Sequence, residues 1–402
     1  MNIRKKLPFW LCLLVMIGTP VLPTKAILAL VALTAVGLGA SLSHWDEISL
    51  TRHPSDAGVV VLGCLYVLAT LVSMGGQGNW KVGALMTAFL WFYLLVIHIV
   101  RTCGQLMLLT KGFLWSSVPI ALYGLYQYLF PEQFSFSSQW VDPGLFPDLD
   151  VRIYSTFANP NVFGCYLLLA IPFALGFFFA EKRIPMRCAY GLAGGVLAAA
   201  LVLTWSRGCW LGAIFAVFVF FLLMDKRFLL LAVAAIPLVL LFAPESILHR
   251  FLSIGNLEDT STYFRVLTYT GVISMLRENW LLGIGPGAFE RVFPLFSPNG
   301  IITEHAHSLY LQLICDAGVP ALGAFLWILA GFARALRHAV PTANREQRCL
   351  MAASIASLSG FLVQSLFDHT FYNYRVMLLF WGIAALTALH TRIPRLTEEC
   401  HD

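Results

Sequence analysis

The 402-residue sequence is 59% hydrophobic and only 12% charged, with a formal net charge of +5. About a quarter of the residues in an average soluble domain are charged, so this composition excludes an ordinary soluble globule. The small basic excess reflects anchors in the short inner loops and gives no sign of a nucleic-acid partner.

Apolar runs near the ~20 residues that a helix needs to cross a bilayer recur along the whole chain. In order they centre on 8–22, 26–42, 58–74, 82–100, 112–130, 162–180, 189–204, 209–224, 228–243, 309–333, 350–366 and 376–390. The expectation is an all-α membrane protein of about twelve transmembrane helices, a single integral membrane domain over 1–402. With MNIRKK inside, 17 of the 26 basic residues fall on inner segments, and EKRIPMR and DKR alternate with nearly uncharged outer turns. That pattern follows the positive-inside rule and puts both termini in the cytoplasm. The first span is followed at once by another and lacks a small-residue cleavage site, so it does not read as a removed signal peptide. The nine cysteines avoid both long outer loops. They read as small apolar packing residues, with no disulfide framework and no CxxC metal site.

Two outer loops break the run of short turns: 131–161 and 244–308. Loops beyond ~12–15 residues are uncommon and usually functional. Within the second, DTSTYFRVLTYTGVISMLREN opens on cap-type residues and spaces Phe264, Leu267, Val272 and Met275 as one helical face. A helix lying along the membrane surface is expected, with Arg265 near its N-terminal end, where backbone N–H groups also favour an anion. WLLGIGPGAF (280–289) follows. No strand precedes its glycines, so it reads as a tight turn between short helices rather than a nucleotide loop.

TWSRGCWLG (204–212) is the hinge between two spans, and Arg207 is its only charge. Arg207 either snorkels to the headgroups or joins Arg265 as a second planar guanidinium fork, a shape suited to phosphate oxygens. EHAHSLYLQLICDAG (304–318) then carries Glu304, His305 and His307 into an apolar helix. On a helix the two histidines would point about 200° apart, so a shared metal ion would need an extended segment, and no metal is expected. Interfacial packing and a general base at the membrane surface remain the other two readings. A transporter would place ionisable groups near mid-span. Asp316 and His98 are the main such residues, and the long polar segments lie in the outer loops instead. That distribution favours an enzyme over a transporter.

STFANPNVFGCYLLLAIP (155–172), LTWSRGCWLGA (203–213), STYFRVLTYTGVISMLRENWLLGIGPGAF (261–289) and the HAHSLYLQLICDAG stretch together resemble the O-antigen ligase and O-antigen polymerase superfamily of membrane glycosyltransferases. The resemblance covers the second half of the chain; the first five spans contribute only hydropathy. It implies a GT-C-like architecture whose large periplasmic loop carries the catalytic residues. It also implies an undecaprenyl diphosphate-linked glycan as donor, lipid A core or another glycan as acceptor, and the outer face of the bacterial inner membrane as the place of reaction. By that resemblance Arg207 and Arg265 engage the donor diphosphate and His307 activates the acceptor hydroxyl. His305 and Glu304 take supporting or interfacial roles, Asn159 and Asn161 are further candidates for support, and no cofactor is implied. The ligase branch is similar to His-[Asn/Ser/Gln], nine residues, then Gly-x-x-[Gly/Thr/Val]. Here His307-Ser308 and Gly318 fit, but the last position is Ala321, which leaves ligase against polymerase open. Relatives described as bicarbonate transporters keep a small-anion transport reading as the alternative from another class.

Overall fold

The computed structural model describes residues 3–41, 53–73, 79–134, 151–225, 227, 245–252, 260–297 and 300–392. Among these, every regular element is helical, as the all-α expectation requires. Eight helices are long and apolar enough to cross a membrane: α2 Thr24–Ser41, α3 Asp56–Ser73, α4 Trp80–Ile99, α5 Cys103–Leu129, α6 Pro160–Ala180, α7 Ile184–Leu203, α8 Arg207–Met224 and α12 Leu309–Ala339. Three further expected spans form helices that fall short of that standard. α1 (Ile3–Gly18) has 16 residues and α14 (Tyr374–His390) has 17, while α13 (Arg345–Gln364) carries Arg345, Glu346 and Arg348 in its first turn. The expected span at 228–243 lies outside the described residues, as does the middle of the first long loop.

Contacts divide the chain into two units. The first comprises Met1–Leu109, Thr260–Thr342 and Ser365–Asp402. Here α4 packs on α14, and α3 packs on both α12 and α4. The long loop contributes α10 (Thr260–Asn279) and α11 (Phe289–Val292) to this unit. α10 forms where the sequence expects it, but its apolar contacts concentrate in its second half. Val272 and Met275 join Phe289, Phe293, Ala306 and Cys315 in a buried cluster, whereas Phe264 is 51% exposed. The expected stripe therefore holds only where a partner surface exists.

The glycine-rich segment is a turn, with Gly283, Gly285 and Gly287 all at positive φ. It has a specific partner. α12 is broken at Ala317 and Gly318, and the backbone groups released there are satisfied by the turn: Ile284 N–H donates to the Cys315 carbonyl at 2.7 Å and Val319 N–H to that of Trp280 at 2.8 Å. Gly318 sits at φ +79, and a Cβ there would run into the Leu281 carbonyl. Gly318→Ala is therefore expected to cost about 1–3 kcal/mol, read as a lowered melting temperature in detergent; an unchanged melt would contradict this account of the break.

The second unit comprises Thr110–Asp259 and Ala343–Gln364. α6 is its centre, flanked by α7, α8 and α13. Gly212 of α8 and Gly360 of α13 face each other so closely that a Cβ on either would meet the other's carbonyl, the small-residue packing by which membrane helices gain contact. A short helix, α9 (Glu245–Leu252), opens the long loop in this unit.

Candidate active site

Residues 303–308 enter α12 without regular structure, and this is the extended case in which the two histidines converge. The rings of His305 and His307 lie edge to face with centroids 4.4 Å apart. His307 takes φ +50, a left-handed conformation that costs a non-glycine residue about 1–3 kcal/mol and clusters at functional sites. The non-glycine residues with positive φ are Ser155, Ala158, Trp205 and His307 among those described. All four lie in the loops that the sequence marks for chemistry.

His307 Nδ1 stands 3.7 Å from Asp368 Oδ1, an electrostatic contact slightly longer than a hydrogen bond. On the other side of the ring, Nε2 lies 3.3 Å from Thr303 Oγ1, while the Thr303 hydroxyl donates to the His305 carbonyl at 3.2 Å. Burial would push the Asp368 carboxyl up, but the His307 ring outweighs it and, with the Arg265 guanidinium, holds the carboxyl below its usual range. Asp368 is thus an anion beside the imidazole. His305 is the opposite case: burial lowers its pKa to about 4, so it is neutral near pH 7. Its ring stacks on Tyr372 at 4.8 Å and its Nδ1 accepts from the His307 N–H at 3.4 Å. Burial likewise pushes His369 well down.

Tyr269 lies one turn beyond Arg265 on the same face of α10. Its hydroxyl donates to the His307 carbonyl at 3.1 Å, with the Leu366 carbonyl at 3.4 Å. Leu309 N–H, the first of α12, donates to the Ser365 carbonyl at 3.0 Å. These bonds bring the segment carrying Asp368 to the one carrying His307. Behind them, Gln312 accepts from Ala306 N–H at 2.9 Å and donates to Asp316 at 2.9 Å. Asp316 therefore serves the loop's geometry. His98 Nδ1 lies 2.7 Å from the Leu94 carbonyl one turn earlier in α4, a local contact.

In the second unit Arg207 is the first residue of α8, reached through Trp205 at φ +52. The sequence reading missed what holds this hairpin. Arg152, 7% exposed, donates from Nε to the Thr204 carbonyl and from Nη2 to Asn161 Oδ1, each at 2.9 Å, and Ile153 N–H donates to the Leu203 carbonyl at 3.2 Å. Asn161 therefore supports the hairpin through Arg152. Asn159 caps α6, accepting from Asn161 N–H at 2.8 Å and Val162 N–H at 3.4 Å. Its role is in the helix start.

Of the residues singled out from sequence, the structure brings His305, His307 and Arg265 into one electrostatic neighbourhood around Asp368. Glu304 is exposed. Asp368 and Tyr269 were missed, although FDHTFYNY (367–374) joins the last two helices and contains a carboxylate next to a histidine. His305, His307 and Asp368 also offer ligand atoms within 4.8 Å of one another.

A polytopic helical membrane protein with a histidine–carboxylate pair within the electrostatic reach of an arginine is the class that fold and site define. Residues 192–326 match the model of the O-antigen ligase family. The match covers about a third of the chain and places this segment, with Arg207, Arg265, His305 and His307, in the O-antigen ligase and polymerase superfamily. A comparison with curated proteins finds no match. The family supports ligase- or polymerase-like activity on glycan substrates.

Proposed function

We propose that the protein is an O-antigen ligase-like glycosyltransferase. It moves a glycan from undecaprenyl diphosphate to an acceptor hydroxyl of lipid A core or a similar glycan, at the outer face of the inner membrane. The observation that carries this reading is His307, held in a strained backbone between Thr303 and the anionic Asp368 with the charge of Arg265 nearby.

With Nδ1 turned to Asp368, Nε2 takes the proton of the acceptor hydroxyl. The hydroxyl oxygen attacks the anomeric carbon, the bond from that carbon to the diphosphate oxygen breaks, and its electron pair leaves on undecaprenyl diphosphate. One displacement without a covalent enzyme intermediate inverts the sugar linkage. Asp368 stabilises the imidazolium that forms, and Thr303 Oγ1, its own proton committed to the His305 carbonyl, accepts from the new Nε2–H. Arg265 and Arg207 supply guanidinium forks for the charge that develops on the leaving phosphate. The departure at Ala321 keeps the polymerase reading, in which the acceptor is a second lipid-linked glycan.

Because arginines supply the positive charge, purified protein given a lipid-linked glycan and acceptor should form product in excess EDTA. Loss of transfer restored by one divalent ion would replace the base by a metal centre. The orientation has its own test, cysteine labelling of intact cells with variants retaining one cysteine. A variant carrying only Ser297→Cys should be labelled, and one keeping only the native Cys400 should not; the reverse would put the site on the cytoplasmic side.

A further inference from the structure

We propose that His305, His307 and Asp368 form a binding site for a divalent transition ion such as Zn2+, and that occupancy switches the transfer reaction off. The site stands on geometry alone; the switch rests on the reading of His307 as the base.

The three side chains come from two segments distant in sequence, 305–307 and 368, and each presents one ligand atom, all within 4.8 Å of one another. His307 Nδ1 and Asp368 Oδ1 are already 3.7 Å apart. A tetrahedral Zn2+ with bonds of about 2.0–2.1 Å needs its ligand atoms about 3.3 Å apart. The widest pair therefore has to close by only about 1.5 Å, a movement within reach of small rotations of the two partly buried imidazole rings. Two imidazoles and one carboxylate select Zn2+ or Cu2+ over Mg2+ or Ca2+, which prefer all-oxygen shells. Supporting groups are in place: Tyr269 holds the His307 carbonyl, Tyr372 stacks on the His305 ring, and His369 N–H donates to Asp368 Oδ1 at 2.9 Å. The last of these, a hydrogen bond to the ligating carboxylate, is of the kind typically worth about 10–100-fold in affinity.

A bound ion would take the imidazole lone pair and draw Asp368 away from its partner. The acceptor hydroxyl would then have no base. The same three groups would thus serve proton transfer when free and hold the ion when it is present. Mg2+ should not compete at comparable concentration.

The test uses full-length protein in detergent, stripped with EDTA and dialysed against Zn2+, with bound metal quantified and transfer assayed in parallel. The expected result is one Zn2+ per chain that His305→Ala and Asp368→Asn each remove, together with loss of transfer in the wild type that EDTA reverses. Melting curves, and His305→Gln in place of His305→Ala, guard against a variant that fails to fold. Absence of binding, or binding undiminished in both variants, would overturn the site. Binding that depends on both residues but leaves transfer unimpaired would overturn the switch, and with it the role of His307 as base, while the site stands. Transfer lost in EDTA and regained with Zn2+ would also overturn the switch, by making the ion part of the catalyst.

Discussion

His307→Ala is expected to bind the lipid-linked donor with near wild-type affinity while its single-turnover rate falls by about 10²–10⁴-fold, the usual contribution of a general base. The dissociation of the two effects is the informative part. In the proposed mechanism His307 meets the acceptor hydroxyl, and the donor diphosphate is assigned to other residues. Asp368→Asn should lower turnover in the same direction, again with donor affinity retained, because it leaves the side chain's shape and removes the charge that stabilises the imidazolium. Asp368→Glu, which restores the carboxylate, should recover part of the loss; a purely structural Asp368 would give no such ordering. His305→Ala should cost less, since its neutral ring packs beside the base. Thermal stability measured on each variant separates lost chemistry from lost fold, and equal losses in donor affinity and rate for His307→Ala would remove it from the role of base.

The second large effect belongs to the arginines. Arg207→Lys and Arg265→Lys keep the charge but lose the planar fork, so each should weaken donor binding and slow transfer. A charge-assisted hydrogen bond of about 1.5–3 kcal/mol corresponds to roughly 10- to 150-fold. Arg152→Ala is instructive beside them. Its two side-chain bonds hold Thr204 and Asn161, so its loss should loosen the hairpin and reduce donor binding through Arg207. Wild-type affinity and rate in both lysine variants would make Arg207 and Arg265 interfacial anchors and leave the base without its companions.

Much of the fold was legible because hydropathy and helical period are local. α10 and the glycine turn lie where the sequence places them. The limits of that reading are equally physical. Phe264 matches the period, but its exposure depends on what packs against α10, which period cannot express. Spans such as α13 begin on charged turns that an average over the window hides. At the site, the histidine pair and Arg265 were visible as polar residues in an otherwise apolar chain. Their geometry was not: convergence of His305 and His307 depends on a non-helical entry to α12 and a left-handed His307. Asp368 and Tyr269 reach His307 through contacts between distant segments, and Arg152 reaches the Arg207 hairpin in the same way. Gly318 shows the converse, since a residue matched as part of a family pattern is here the break that lets the glycine turn bond to α12.

The central claim is that this chain transfers a lipid-linked glycan rather than moving an anion. Reconstitution of the purified protein in proteoliposomes addresses both at once. With donor and acceptor supplied, the account predicts a linked product and released undecaprenyl diphosphate; with neither, it predicts no protein-dependent bicarbonate uptake. Uptake without transfer would contradict it.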